Sequence, residues 1–341
     1  MELPLVVLDR RTEERVVSVD GAWDQPGLNL SHWPGNATPK ELRHDLSTGA
    51  ALNFGRLAAE ARARLAAGCR AIANNHFDTD GACAVFAVRH PELALPREKG
   101  LLEAAAAGDF YQVPSEKAFV LDAVITNLAD PARSPWEERF RGLDARGRHE
   151  VALCGIVERL PAMLDGDLAD LADLWKPELE ALRAGREDLA AAARDEVVHL
   201  DLCVWESRPL ARFRPGRHAL FGGTRCDRAL AIGRGRAGAT YRFVLSTLSW
   251  FDLESREPQP RPDLRALAER LNEAEGCAPG GEVAWRTQAV EGPSPELWHG
   301  TADVEDFAEH SDALRESRLE PATVRRAVAD ALRACWAFPE S

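Results

Sequence analysis

The chain has 341 residues, 45% of them hydrophobic, and a formal net charge of −13. That length supplies a large core and room for two domains, and so acidic a surface is ill suited to wrapping a long nucleic acid. The apolar run in MELPLVVLDRRTEERV is too short for a signal peptide, and no window matches the roughly 20 apolar residues of a spanning helix, so a cytoplasmic protein with no membrane partner is expected.

In chain order, LPLVVLD (3–9), RVVSVD (15–20) and GLNLSHW (27–33) have the β-branched, charge-bounded character of strands. A helix over 47–68 follows, with Ser47 at its N-cap and Gly68 at its stop. CRAIANN (69–75) is a further strand, and GACAVFAVRH (81–90) a helix ended by Pro91. This alternation predicts an α/β fold with a mainly parallel N-terminal sheet. Residues 96–195 carry helix-period apolar positions throughout, with Pro161 and Pro177 at breaks or first turns. Beyond 196, strands are expected at 197–205, 218–223, 228–233, 240–247 and 282–290, with helices at 261–276 and 321–337. The expected division is an α/β domain over 1–195, including the helical segment, and a smaller C-terminal α/β or α+β domain over 196–341. The seven cysteines are widely spaced without a CxxC pair, which suggests neither a disulfide frame nor a zinc knuckle.

Chemistry concentrates in AIANNHFDTDGACAVFAV (71–88), where a strand hands over to a helix. Side chains alternate along extended chain, so His76, Asp78 and Asp80 point to one side. Such groups repel one another unless a cation neutralises them. One imidazole with several carboxylates suits Mn²⁺ or Mg²⁺, with Fe²⁺ or Zn²⁺ as further options. The competing explanation is structural: either aspartate can cap the helix, and His76 can be a buried, hydrogen-bonded core residue. His32, at the end of the strand before a Pro34-Gly35 turn, is placed to complete the site. Asp45 either joins it or caps the helix beginning near Ser47. Asn75 can contact substrate, orient a ligand or satisfy the turn backbone. Nine arginines lie between 208 and 242, with Asp227 the only acid. Arg234 and Arg236, in GRGRAG, could hold a substrate's oxyanions. Against this, arginine replaces lysine throughout a chain with only four lysines.

HFDTDG resembles the first motif of the DHH phosphoesterase superfamily, in which such a run at a strand end binds manganese or magnesium. The resemblance implies His76, Asp78 and Asp80 as ligands and Gly81 in the turn. AAAAGDF (104–110) is similar to a segment supplying a later ligand, which implies Asp109. The chain has no Asp-His-His triplet and no terminal GGGH segment; ELWHG (296–300) is only loosely similar. Over most of its length the chain more closely resembles an uncharacterised bacterial family sharing SHWPG and NNHFDxDG motifs.

The expected function is a divalent-metal-dependent hydrolase, a phosphoesterase acting on a phosphodiester or small phosphorylated substrate, short oligonucleotides included. His76, Asp78 and Asp80 would carry the chemistry, with Asp109, His32 and Asp45 as further metal ligands and Arg234, Arg236 and Asn75 on the substrate. The alternatives are a metal-dependent enzyme acting on a non-phosphate small molecule, and a member of the fold that has lost catalysis.

Overall fold

In the computed structural model, which describes residues 3–8, 10–21, 25–209, 213–278, 281–301 and 313–336, the chain divides into two compact units. The first comprises residues 1–180 and 251–257, the second 181–250 and 258–341. The expected α/β class is what the structure has: a parallel four-stranded sheet, a helical middle and a mixed six-stranded sheet.

The first sheet uses β1 (Leu5–Val7), β2 (Val16–Val19), β3 (Gly27–Leu30) and β4 (Ile72–Asn74), in the order β1-β4-β2-β3 and all parallel. Its strands are short and almost wholly buried, with valines filling β1 and β2. Gly27, at φ 124°, lies against β2 so closely that a Cβ would sit 2.0 Å from the Val16 carbonyl oxygen. The expected helix over 47–68 is two, α1 (Ser47–Arg56) and α2 (Ala59–Leu65), because Leu57 and Ala58 are extended. Nor is Ser47 the cap. Leu46 holds that position without a side-chain bond, and the first amides are satisfied from elsewhere in the fold.

After β4 comes α3 (Thr79–Arg89), whose residues from Thr79 to Val88 are all buried. Short α4 (Pro91–Ala94) leads into α5 (Glu98–Phe110), then α6 (Glu116–Ala129), α7 (Glu137–Phe140), α8 (Ala145–Asp165) and α9 (Ala172–Ala191). The alanines of α5 allow close helix approach: Ala104, Ala105 and Ala107 are fully buried. Pro161 and Pro177 lie inside α8 and α9 and do not break them. In α8, Ile156, Leu160, Met163 and Leu164 bury one face on both sides of the proline, and that packing outweighs the missing amide.

The second unit is built on β5 (Ala193–Val197), β6 (Leu202–Glu206), β7 (Arg228–Arg234), β8 (Ala239–Leu245), β9 (Ala284–Thr287) and β10 (Glu296–Gly300), in the order β5-β6-β7-β8-β10-β9. Only β6 and β7 pair in parallel. Residues 217–222 form helix α10 (Arg217–Gly222) where a strand is expected, and ELWHG is strand β10 where none is expected. Helices α11 (Leu264–Glu275) and α12 (Pro321–Trp336) cover one face. Their Leu267, Leu271, Val324 and Val328 meet Leu230, Ile232, Tyr241 and Phe243 of the sheet. The period-2 and helix-period patterns thus meet in one core.

Candidate metal centre

Three of the four parallel strands end in a potential ligand at the same edge of the sheet. Asp20 follows β2, His32 lies just beyond β3, and His76 follows β4. This is the edge at which open α/β sheets place their ligands, because parallel strands bring all their carboxyl ends together. Asp20 adopts a left-handed backbone (φ 51°), which turns the chain out of the strand at the site. Asp78 and Asp80 come from the first turn of α3, and Asp109 from the last turn of α5.

Their side chains converge in two groups. Asp20, His32, Asp80 and Asp109 are all buried and offer ligand atoms within 4.8 Å of one another, and so do Asp20, His76 and Asp78. His32 Nε2 lies 2.9 Å from Asp109 Oδ2, 3.5 Å from Asp80 Oδ2 and 3.6 Å from Asp20 Oδ1. His76 Nε2 lies 2.7 Å from Asp78 Oδ2 and 3.2 Å from Asp20 Oδ2. Asp20 therefore belongs to both groups, with one oxygen turned toward each.

The local structure explains why the side chains are aimed this way. The Asp78 Oδ1 accepts the Gly81 amide (2.8 Å) as the N-cap of α3, which leaves Oδ2 for His76. Capping and site membership, alternatives in the sequence, are performed by the two oxygens of one carboxylate. Asp80 accepts the Ser47 and Thr48 amides (2.7 and 2.8 Å), so it supplies the cap that α1 lacks locally. The Asp20 Oδ1 accepts from Ser47 Oγ (2.9 Å) and Trp33 Nε1 (3.1 Å). Gly81 is required by crowding: a Cβ there would lie 2.2 Å from Asn74 Nδ2 and 3.1 Å from Asp20 Oδ2.

Each imidazole is oriented by its far nitrogen. His32 Nδ1 lies 2.5 Å from the Asp45 carbonyl oxygen, and His76 Nδ1 lies 2.7 Å from Asn75 Oδ1. A carbonyl only accepts, so both Nδ1 atoms carry hydrogen, and both Nε2 atoms face the carboxylates. A neutral imidazole then presents a lone pair to negative oxygens, an arrangement that favours a bound cation or a proton.

The electrostatics express the same crowding. Burial pushes the Asp80 carboxyl up to about 6, with the Asp20 charge adding to it. Burial, then Asp78 and Asp80, raises Asp109 well above the usual carboxylate range. His76 is pushed up to about 12: burial opposes this, but the adjacent Asp78 and Asp20 charges prevail. His32 is likewise raised by Asp109 and Asp20 against the opposing effect of burial. Without a cation the cluster holds protons in its place. The donor set fits a divalent ion by a further observation: Asp20 Oδ2 and His32 Nε2, both able to offer a lone pair, are buried and make no hydrogen bond.

Asp45 does not join these groups. Its Oδ1 accepts the amides of Glu254 and Ser255 (2.7 and 2.9 Å), and only its carbonyl reaches the site, through His32. A nearby pair of backbone amides is a better partner for this half-buried carboxylate than a crowded anionic cluster. Asn75 is engaged with His76. Arg234 and Arg236 lie in the second unit, where Arg234 pairs with Glu206 (Nη2–Oε1 2.5 Å) and the Arg236 amide donates to Glu316 (3.3 Å). Other arginines of that stretch have structural partners: Arg217 and Arg242 both engage the buried Glu296, and Arg228 reaches Asp201 and two backbone carbonyls. Arg212 lies outside the described residues. The residue missed in the sequence is Asp20. Its signal was an aspartate directly after an apolar strand, the position that His76 nearly occupies after β4.

A family profile, described as a family of unknown function (DUF6687), matches residues 3–341. The chain belongs to the DUF6687 family. Membership in an uncharacterised family, expected from SHWPG and NNHFDTDG, is thereby met, and both stretches fall within the DUF6687 match. None of the curated proteins matches the sequence. Among solved structures, the DUF6687 chain is similar to the pGpG-specific phosphodiesterase PggH of Vibrio cholerae. The identity is 13% and the TM-score 0.35, over 94% of this chain and 86% of that one.

Proposed function

We propose that this protein is a two-metal phosphoesterase acting on a phosphodiester or a small phosphorylated substrate, with Mn²⁺ or Mg²⁺ as its ions. One observation carries the reading: the Asp20 carboxylate is shared, one oxygen 3.6 Å from His32 Nε2 and the other 3.2 Å from His76 Nε2. A carboxylate between two His/Asp groups is suited to hold a pair of ions at one phosphate. The resemblance of HFDTDG to the first motif of the DHH phosphoesterases supports the same assignment. Bound divalent ions supply Lewis-acid stabilisation of a phosphoryl oxygen and lower the pKa of a water.

The residues divide the work by burial. His32, Asp80 and Asp109 form a closed group that fixes one ion. The His76 and Asp78 side chains are 28% and 32% exposed, so substrate and water reach the site from their side. Asn75 holds His76 in place.

The test is a panel of linear dinucleotides, cyclic dinucleotides, short oligonucleotides and phosphomonoesters, assayed with Mn²⁺ after chelation. Turnover of at least one class is expected, restored by Mn²⁺ and lost by at least 100-fold in Asp20→Ala. Stoichiometric metal without turnover of any phosphate ester would favour a non-phosphate substrate. Absence of metal binding would leave a fold without catalysis.

A further inference from the structure

His32 is enclosed by a segment from far along the chain. Residues 251–257 belong to the first unit, although both the 181–250 stretch before them and the chain after them belong to the second. Phe251 is buried and stacks on the His32 imidazole, with ring centroids 3.9 Å apart and planes 16° apart. Phe110, next to Asp109, closes the group at 5.8 Å from Phe251 and 6.0 Å from His32. The backbone is tied down as well. The Asp252 amide donates to the His32 carbonyl (2.9 Å), and Asp252 Oδ2 accepts the Gly35 amide (3.0 Å). Asp45 links the two parts: its carboxylate accepts the Glu254 and Ser255 amides, and its carbonyl accepts from His32 Nδ1.

We infer that Asp45 and the 251–257 strap are positioning elements that set His32 for the buried ion and leave the His76 group untouched. The inference rests on the two-metal reading above. A histidine ligand needs its ring plane and its protonated nitrogen fixed so that the other nitrogen meets the metal. Here Phe251 fixes the plane and the Asp45 carbonyl fixes the tautomer. His76 has an independent device, Asn75, so the two groups are oriented separately. Asp45 thus acts on the metal through His32 and through the strap, while its carboxylate never enters the cluster.

The experiment is Mn²⁺ binding to the full chain after chelation, read as free Mn²⁺ by electron paramagnetic resonance. His32→Ala and His76→Ala assign the two isotherms. Asp45→Ala and Phe251→Leu are expected to weaken the His32 site by about 10–100-fold, the usual cost of losing a group that orients a ligand. The His76 site should keep its affinity. Asp45→Asn retains an acceptor for the strap amides and should bind like the parent. Circular dichroism and the metal-free Tm verify folding, and Phe251→Leu, which keeps an apolar filling, serves should Asp45→Ala fail to fold. Unchanged binding at both sites, or equal weakening of both, overturns the inference while the two-metal reading stands. A parent chain that binds no Mn²⁺ overturns that reading, and this inference with it.

Discussion

Asp20 is the residue on which the centre turns. Its left-handed backbone and its two donors, Ser47 and Trp33, hold a carboxylate where five other titrating groups, His32, His76, Asp78, Asp80 and Asp109, already crowd. The pH dependence follows from that crowding. His76 is raised to about 12 and Asp80 to about 6, so the metal-free native state binds more protons than the unfolded chain between pH 4 and 12. Its stability is therefore favoured at low pH and falls as pH rises, first through about 6 for Asp80. An ion must displace those protons, so its affinity changes in the opposite direction. We expect Mn²⁺ affinity to rise from pH 5.5 to 8, with net proton release measurable by calorimetry in buffers of different ionisation enthalpy. The gap in Tm between Mn²⁺-loaded and metal-free protein should widen over the same interval. A pH-independent affinity would contradict the assignment of the imidazoles and carboxylates as ligands.

Among the elements, α3 bears the greatest constraint. It is buried along its length, and its first turn supplies Asp78 and Asp80 while packing against Asn74 at the end of β4. Asp80 in turn caps α1, so the helix that supplies a ligand also fixes the helix beside it. A Cβ at position 81 has no room, for Asn74 Nδ2 would be 2.2 Å away. Gly81→Ala should cost about 1–3 kcal/mol of stability through overpacking and should weaken Mn²⁺ binding disproportionately, because the first turn moves with its two aspartates. Thermal denaturation together with metal titration separates these effects. Retention of full metal affinity would show that the turn does not set the aspartates. Much at this scale was readable in advance. The strand positions and α3 follow from local periodicity, but the expected alternation of His76, Asp78 and Asp80 along extended chain stops at Thr79, where α3 begins, and Asp80 joins His32 and Asp109 while Asp78 stays with His76. The strand expected at 218–223 is helix α10 because a short apolar run ending in two glycines suits either state, and tertiary packing decides. The division of 47–68 falls at Leu57 and Ala58, with no glycine or proline at the break itself and Gly55 two residues before it.

For the whole molecule, a net charge of −13 sets what can reach the centre. Long polyanions are repelled, while a short phosphodiester with its own divalent counterions is not. We expect no retention of a long DNA duplex at about 0.15 M salt in an electrophoretic shift assay; tight binding there would count against the small phosphorylated substrate proposed above. None of the helices among the described residues is long and apolar enough to cross a membrane. The sequence by itself determined the α/β class, the parallel strands and the strand-to-helix handover that carries HFDTDG, because side-chain alternation and strand-to-helix punctuation act over a few residues. Tertiary structure alone decided that Asp20 joins two groups and that Asp45 serves through its backbone carbonyl. It also decided that residues 251–257 close over His32. Those outcomes depend on which strands become neighbours and which distant amides meet a carboxylate, and no local pattern encodes such long-range pairing.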